Sequence, residues 1–265
     1  MRVIVTHASA GLVDTERERF RRIVVWLGEI DAMLSIATLR GEGDTHVPEV
    51  VAGPAMVVAR DIKHPAIANA IGNDVELHGS GLLVTGSNMS GKSTLLRTIA
   101  TAAILAQSIH TTFGAWRASP LHVRAVMRIA DDPERGLSTY AVEVAAMREL
   151  VADARPCLFV IDEPFSGTSP TVRVPIVVAV LEYLVSRSLV VVATHDLDVA
   201  VRLDDRFARA YFDEQDGAFN RRLCPGVAPA TNAVEILVRA DYPAAITDRL
   251  VVTPRRRGAD GLESP

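Results

Sequence analysis

The sequence predicts an α/β fold in which a largely parallel sheet is flanked by helices. Compact apolar runs at 81–85, 157–161 and 189–193 are separated by longer segments with helical spacing. Strands that are buried on both faces of a parallel sheet have this composition. A glycine-rich turn joins the first run to a helix, as in a strand–turn–helix unit. Hydrophobic residues make up 49% of the 265 residues, so a sizeable core is possible and wholesale disorder is excluded.

A first helix is predicted for Arg19–Leu39. Its apolar residues recur at helical spacing and lie on more than one side, so we expect this helix to be buried against a partner element. They are Ile23, Trp26, Leu27, Ile30, Leu34 and Ala37. Gly41, Gly43 and Pro48 then break the pattern and predict a loop. Residues 50–78 mix short apolar runs with turns and do not predict one single element.

The remaining elements alternate along the chain. The predicted strands are Gly81–Thr85, Val123–Ile129, Cys157–Ile161 and Leu189–Ala193. The predicted helices are Ser93–His110, Ser138–Asp153 and Val174–Ser186. Because helices connect the strands, we expect parallel strands with helices on both faces of the sheet. Residues 253–265 are predicted to be a disordered tail, and its three arginines a charged terminus rather than a nucleic-acid patch.

Composition narrows the class of protein and its expected location. The formal net charge is −4, so the chain lacks the overall basic character of a free nucleic-acid binder, although a local basic stripe remains compatible with it. Cys157 and Cys224 have no CxxC spacing, which favours a reducing compartment and no structural zinc. We find no signal peptide and no apolar run of bilayer length. We therefore expect a cytoplasmic protein with no membrane partner.

A phosphate-binding loop is predicted where the first apolar run meets the next helix. Residues 86–93 fit the pattern GxxxxGK[ST], in which backbone N–H groups and the helix dipole surround a phosphate chain. Lys92 is expected to reach the β- and γ-phosphate oxygens, and the Ser93 hydroxyl to bind Mg²⁺. The predicted nucleotide-binding residues are Gly86, Ser87, Asn88, Met89, Ser90, Gly91, Lys92, Ser93 and Thr94.

Two acids end the apolar strand 158–161, and a histidine follows the next strand. The carboxyl ends of parallel strands meet at the ligand-binding edge of such a sheet. We expect Asp162 to support Mg²⁺, Glu163 to act as general base on water, and His195 to contact the γ-phosphate as a sensor. The adjacent glutamate favours ATP hydrolysis over a GTPase switch. The alternatives are that the acids merely end a strand and that the histidine is structural.

Several segments together resemble the ATPase domain of the DNA mismatch repair MutS family. TGSNMSGKSTLLRTIA (85–100) is similar to the family's phosphate loop, and its Asn-Met pair is distinctive. IDEPFSGTSP (161–170) and ATHD (193–196) resemble the acidic strand and the histidine motif. RGLSTYAVE (135–143) resembles the signature segment. The segments 63–79 and 224–243 are also similar, so the resemblance covers about Arg19 to Leu250.

This resemblance implies a P-loop NTPase of the ABC-ATPase type that uses ATP and Mg²⁺. It also implies a dimer, here a homodimer, in which Ser138 acts in trans near the neighbour's γ-phosphate. Under this interpretation, residues 1–50 are an N-terminal segment with a remnant of the family's lever helix. Residues 51–252 form the ATPase domain, and its C-terminal helical piece packs against the other subunit.

The sequence also departs from the family pattern. The mismatch-reading domain has no counterpart here, and Asp162-Glu163-Pro164 replaces the family's Asp-Glu-Ile. That change is closer to ABC transport and SMC-type ATPases, yet the Leu-Ser-Gly-Gly-Gln signature of those proteins is absent. The interpretation is therefore a short, divergent MutS-like ATPase in DNA mismatch repair or DNA maintenance, which contacts DNA itself or through a DNA-binding partner subunit. The alternatives are a nucleotide-gated regulatory module with little turnover and an ABC- or SMC-type ATPase.

Overall fold

The computed structural model describes residues 2–87, 90–127, 139–215, 218–228 and 243. These residues form a mixed α/β fold with helices packed against the sheets, the class that the sequence predicts. The helices are α1 (Arg2–Glu42), α2 (Lys92–Ser108), α3 (Thr139–Ala152), α4 (Pro170–Val185) and α5 (Leu197–Arg202). The strands are β1 (Glu49–Val50), β2 (Met56–Ile62), β3 (Asn73–His78), β4 (Gly81–Thr85), β5 (Ala115–Ala118), β6 (His122–Val126), β7 (Cys157–Asp162), β8 (Leu189–Thr194), β9 (Phe207–Gln215) and β10 (Ala218–Pro225).

A six-stranded sheet in the order β10-β9-β4-β8-β7-β6 forms the centre of the described fold. Every neighbouring pair from β9 to β6 is parallel, and β10 pairs antiparallel with β9 at one edge. All residues of β4, β7 and β8 are buried. Strands covered on both faces need apolar side chains in both directions, which explains their unbroken apolar sequences. Their carboxyl ends, at Thr85, Asp162 and Thr194, lie at one edge of the sheet.

Two hydrophobic cores lie on opposite faces of this sheet. On one face, alternate residues of β4, β7 and β8 pack against α2, whose Leu96 and Ile99 are fully buried. On the other face, the intervening residues pack against α3, α4 and α5, with Phe159 and Leu181 at the centre. Side chains of a strand point alternately to its two faces, so one buried strand serves both cores. The edge formed by Thr85, Asp162 and Thr194 therefore rests on strands that are packed from both sides.

A second, four-stranded sheet covers the outer side of α2. Its order is β1-β5-β2-β3, with β2 antiparallel to both β5 and β3. Val57, Leu77 and Trp116 from this sheet join the same core as α2. The register of β2 and β3 shifts between Ala59 and Ile62. The segment 50–78 thus contains the strands β2 and β3. The register shift interrupts the alternation of apolar and polar residues that would otherwise mark them in the sequence.

Helix α1 is longer than predicted, and its described side chains from Glu16 to Gly41 are mostly exposed. We expected its apolar residues to pack against a partner element, but Trp26 is 61% exposed and Leu34 is 62% exposed in the described chain. Within the described residues, the contact of α1 with the rest of the fold is made near its end. Arg40 donates hydrogen bonds to the Thr111 hydroxyl and to the carbonyls of Ile109 and His110, which follow α2. The expected burial is therefore wrong for this chain taken alone.

Several predicted boundaries also change. Helix α4 begins at Pro170 instead of Val174, α2 covers Lys92–Ser108, and β6 ends at Val126. The hairpin of β9 and β10 was not predicted. Asn88, Met89, Ser138 and the tail 253–265 lie outside the described residues. Of the predicted C-terminal helical piece, 224–243, Cys224 and Pro225 belong to strand β10 instead of a helix, and residues 229–242 lie outside the described residues. In the described part of the chain, no helix combines the length and apolar composition needed to cross a membrane.

Candidate functional site

Two glycines of the segment between β4 and α2 have left-handed backbone conformations. Gly86 has φ of 143° and Gly91 has φ of 113°, conformations that side chains with a Cβ rarely adopt. Gly91 caps α2, so the first N–H groups of the helix point out of its N-terminus next to this loop. The free N–H groups and the positive end of the helix dipole make this end of α2 suitable for an anion.

Lys92 is buried at the base of this loop. Its Nζ donates hydrogen bonds to the carbonyls of Gly86 (2.8 Å) and Ser87 (2.9 Å), and lies 3.6 Å from Glu163 Oε1. Burial lowers the pKa of Lys92, and the charges of Glu163 and Asp162 oppose that shift. An ammonium held by two carbonyls and a carboxylate remains a strong donor that can turn toward a phosphate.

The two acids lie where β7 ends. Asp162 is 4% exposed, and its Oδ1 is buried without a hydrogen-bond partner in the described structure. Glu163 has a left-handed φ of 50°, while its N–H donates to the Ala193 carbonyl of β8 at 2.9 Å. Its Oε1 also lacks a hydrogen-bond partner among the described residues. Buried polar atoms usually have partners, so Asp162 Oδ1, and Glu163 Oε1 beside the Lys92 ammonium, are expected to bind a ligand, water or an ion.

Glu163 and His195 form a pair across the ends of β7 and β8. His195 Nδ1 lies 2.8 Å from Glu163 Oε2, and the His195 backbone N–H donates to the same oxygen at 3.3 Å. The bond to Glu163 raises the pKa of His195, against a smaller lowering by burial. Burial by itself raises the pKa of Glu163, but His195 and Lys92 together lower it overall. The glutamate is therefore kept ionised at neutral pH.

The predicted magnesium ligands fit that ion. Ser93 follows Lys92 in the first turn of α2 and is half-buried, and Asp162 offers the unpartnered Oδ1. The described residues contain no cluster of three or more His, Cys, Asp or Glu side chains that could hold a metal alone. Mg²⁺ usually keeps several waters and binds one or two protein oxygens together with substrate phosphates. Ser93 and Asp162 supply oxygen ligands of this kind, one hydroxyl and one carboxylate.

Helix α3 holds the turn that follows Glu163. Glu143 is 4% exposed and accepts hydrogen bonds from the Ser166 N–H (3.1 Å), the Ser166 hydroxyl (2.7 Å) and the Gly167 N–H (3.1 Å). A Cβ on Gly167 would lie 2.9 Å from the Tyr140 nitrogen, so the two backbones are in close approach. The segment with Ser138 directly precedes α3, and the position of Ser138 itself is outside the described residues.

A pocket beside the loop was not anticipated from the sequence. It has a volume of about 300 Å³ and lies between β2, the start of α2 and the β9–β10 hairpin. Ile62, Ile71, Thr94, Leu95, Phe212 and Arg221 are among its lining residues. The pocket combines apolar walls with a few polar groups, as small-molecule sites do. Its residues come from the segments 62–73 and 91–98 and from β9 and β10, which share no motif, so no spacing in the sequence could indicate it.

Comparison with known proteins decides the family. A sequence profile described as MutS domain V matches residues 82–251, more than half of the chain. The chain belongs to the MutS domain V family. Residues 92, 162, 163 and 195 all lie inside the matched range. The loop glycine at position 91 and the pocket residues Leu95 and Arg221 also lie inside it.

Three relatives show how far this similarity extends. The chain is 31% identical over 252 residues to the DNA mismatch repair protein MutS of Natronomonas pharaonis, covering 88% of this chain and 29% of that protein. It is 30% identical over 261 residues to the DNA mismatch repair protein MSH3 of Coccidioides immitis, covering 89% and 23%. It is 27% identical over 248 residues to the endonuclease MutS2 of an Anaeromyxobacter species, covering 84% and 31%. The chain thus spans less than a third of the length of these relatives.

Proposed function

We propose that this chain is a divergent MutS-type ATPase domain with a P-loop fold of the ABC-ATPase type. It binds ATP with Mg²⁺ and hydrolyses it in a dimer, in DNA mismatch repair or related DNA maintenance. One observation carries the proposal. Lys92 Nζ lies 3.6 Å from Glu163 Oε1 at the phosphate-loop edge, and the buried oxygens of Asp162 and Glu163 there have no hydrogen-bond partner in the described structure.

Substrate binding begins at the phosphate loop. The N–H groups at the start of α2 bind the phosphate chain, and Lys92 exchanges its carbonyl partners for phosphate oxygens. Ser93 and Asp162 would hold Mg²⁺, which neutralises charge on the phosphates when it is bound. The pocket of about 300 Å³ that adjoins Gly91 and Thr94 is proposed to receive the nucleobase, because it lies next to the loop and combines apolar walls with polar groups.

Hydrolysis uses Glu163 as the base. The ionised carboxylate takes a proton from a water whose oxygen forms a bond to the γ-phosphorus. The bond from that phosphorus to the β–γ bridging oxygen breaks, and ADP leaves with the electron pair. The His195 backbone N–H donates to Glu163 Oε2, which the imidazole Nδ1 also contacts, and so Oε1 is left for the water. From the same position His195 is proposed to contact the γ-phosphate and to report its presence.

The dimer completes the site in this proposal. Ser138 from the neighbouring subunit is proposed to donate a hydrogen bond to the γ-phosphate, and the C-terminal piece to form part of the subunit contact. Among the relatives, two are named as DNA mismatch repair proteins and one as an endonuclease. We therefore propose that ATP hydrolysis by this chain drives a step on DNA, which the chain contacts directly or through a DNA-binding partner subunit.

The test is a comparison of ATP turnover between the wild-type chain and Glu163→Gln. We expect ATP binding to be retained and phosphate release to fall by about 10²–10⁴-fold, the usual contribution of a general base. Glu149→Gln, an exposed change on α3, is the control and should leave turnover unchanged. Equal turnover in Glu163→Gln and wild type would show that Glu163 is not the base.

The same preparation distinguishes a hydrolysing dimer from a nucleotide-gated module. ATP binding without turnover in the wild-type chain would identify a regulatory module with little hydrolysis of its own. Light scattering of Glu163→Gln with ATP should give twice the mass measured without ATP, and a monomer at high protein concentration would contradict the dimer. Phosphate release should then be measured with duplex, mismatched and branched DNA at a fixed salt concentration, because phosphate contacts are strongly salt-dependent.

A further inference from the structure

An ion pair next to His195 has no part in the proposed chemistry. Arg173 of α4 reaches Asp196, and Asp196 directly follows His195 in the chain. The distances to Asp196 Oδ2 are 2.8 Å from Arg173 Nε and 2.7 Å from Nη2. The two side chains are only 11% and 17% exposed. A buried arginine pair of this kind is costly to desolvate, and replacement by apolar side chains is often neutral or stabilising. Its presence therefore calls for a role other than stability alone.

The geometry of Asp196 supports such a role. Asp196 precedes α5, a position where an aspartate usually accepts a hydrogen bond from the helix N–H groups. Here its side chain makes no capping bond. The carboxylate turns to Arg173 instead, while the backbone N–H of Asp196 donates to the Thr194 hydroxyl at 3.1 Å. Asp196 is thus fixed on both sides, through its main chain to β8 and through its side chain to α4.

Arg173 also reaches the turn that follows Glu163. Its Nη1 lies 3.5 Å from the Thr168 carbonyl, and its own N–H donates to the Ser169 carbonyl at 2.9 Å. One guanidinium therefore connects the loop that presents His195 with the turn that presents Glu163. The imidazole has little packing of its own, because the His195 side chain is 47% exposed. The position of the imidazole therefore depends on the position of the His195 backbone.

We propose that Arg173 is a positioning residue that holds His195 in hydrogen-bonding distance of Glu163 by binding Asp196 and the Thr168 carbonyl. Arg173 does not touch the substrate and acts through these two neighbours. The inference rests on the proposed function, since it assigns a purpose to the His195–Glu163 pair in ATP hydrolysis. A displacement of about 1 Å in a catalytic pair can lower turnover by about 10²-fold. Loss of the Arg173 contacts can therefore have a large effect on turnover, although Arg173 is remote from the phosphate.

The kinetic test uses Arg173→Met, Arg173→Lys and Asp196→Asn. We expect Arg173→Met to lower kcat by about 10- to 100-fold, with the KM for ATP within about threefold of wild type. Arg173→Lys should recover part of kcat, because a lysine keeps the charge but lacks the forked geometry. Arg173→Met in an Asp196→Asn background should cause little further loss, since both changes break the same contact. Arg202→Met, an exposed change on α5, should behave as wild type.

A second readout does not depend on turnover. The imidazole signal of His195, identified by its loss in His195→Gln, should shift in Arg173→Met and in Asp196→Asn but stay in place in Arg202→Met. If the wild-type chain hydrolyses no ATP, the proposed function fails. The comparison of His195 imidazole signals by NMR still tests whether Arg173 positions His195. Unchanged kcat in Arg173→Met, or lower kcat with an unmoved His195 signal, would overturn the inference. If Arg173→Met does not fold, kcat and the His195 signal are both measured on Asp196→Asn.

Discussion

Replacing Glu143 by alanine removes the acceptor for three donors at once. The carboxylate binds the N–H and hydroxyl of Ser166 and the N–H of Gly167, and it is 4% exposed. A hydrogen bond to a charged group contributes about 1.5–3 kcal/mol, so three of them give an upper bound of about 4.5–9 kcal/mol. The burial of the carboxylate costs several kcal/mol in return. We therefore expect Glu143→Ala to lower the free energy of unfolding by about 3 kcal/mol.

Urea unfolding measures this loss. A chain of this size has a slope of about 2–3 kcal/mol per molar urea, so the midpoint should fall by about 1–1.5 M. Trp116 is buried and Trp26 is exposed, so a Trp26→Phe background makes the fluorescence report the core alone. Glu149→Ala, an exposed change on the same helix, should shift the stability by less than about 0.5 kcal/mol. A loss below about 1 kcal/mol in Glu143→Ala would refute the assignment of Glu143 as the main support of this turn.

Three further predictions concern other contacts. Gly167→Ala should lower the free energy of unfolding by about 1–3 kcal/mol in urea titrations, because the new Cβ would lie 2.9 Å from the Tyr140 nitrogen. His195→Gln should cost about 0.2–1 kcal/mol at pH 6, because His195 has a raised pKa beside Glu163 and is partly exposed. That cost should vanish as the pH rises through the folded-state pKa of His195, which lies above about 6.5, in unfolding curves taken between pH 6 and 9. Trp26→Ser should change the stability of the isolated chain by less than about 0.5 kcal/mol, because Trp26 is 61% exposed.

A control variant and the contradicting outcomes complete these three predictions. Gly28→Ala adds a methyl group on α1 with nothing within 4 Å, so it should leave stability unchanged or raise it by up to about 1 kcal/mol. A similar result for Gly167→Ala would contradict the close approach to α3. For His195→Gln, a cost that grows with rising pH would have the wrong sign for a histidine with a raised pKa. For Trp26→Ser, a loss of 2 kcal/mol or more would mean that α1 is covered in solution.

The strands that carry the candidate site could be predicted because they are buried on both faces. The apolar runs of β4, β7 and β8 are only five or six residues long, which favours strands over helices, and they end at Thr85, Asp162 and Thr194. A parallel sheet gathers such ends at one edge, so the nearness of His195 to Glu163 follows from strand order. The chemical roles of Lys92, Glu163 and His195 stay predictions.

Other features depend on contacts between distant segments. The four-stranded sheet places β5 between β1 and β2, although about 50 residues separate β2 from β5 in the chain. The start of α4 has a local signal in the sequence. Ser169 followed by Pro170 is a common beginning of a helix, since proline at the first position loses no hydrogen bond. The pairing of Arg173 with Asp196 has no signal in spacing, because it requires knowing that α4 passes the end of β8.

The attachment of α1 has a mechanical consequence. Arg40 fastens one end of a 41-residue rod to the carbonyls that follow α2, while the opposite end of α2 borders the phosphate loop. A helix of that length extends about 60 Å. Pivoting the rod by about 5° at the joint displaces its free tip by about 5 Å, a simple consequence of that length. Small rotations at the Arg40 joint are therefore converted into displacements of several ångströms at the far end of α1.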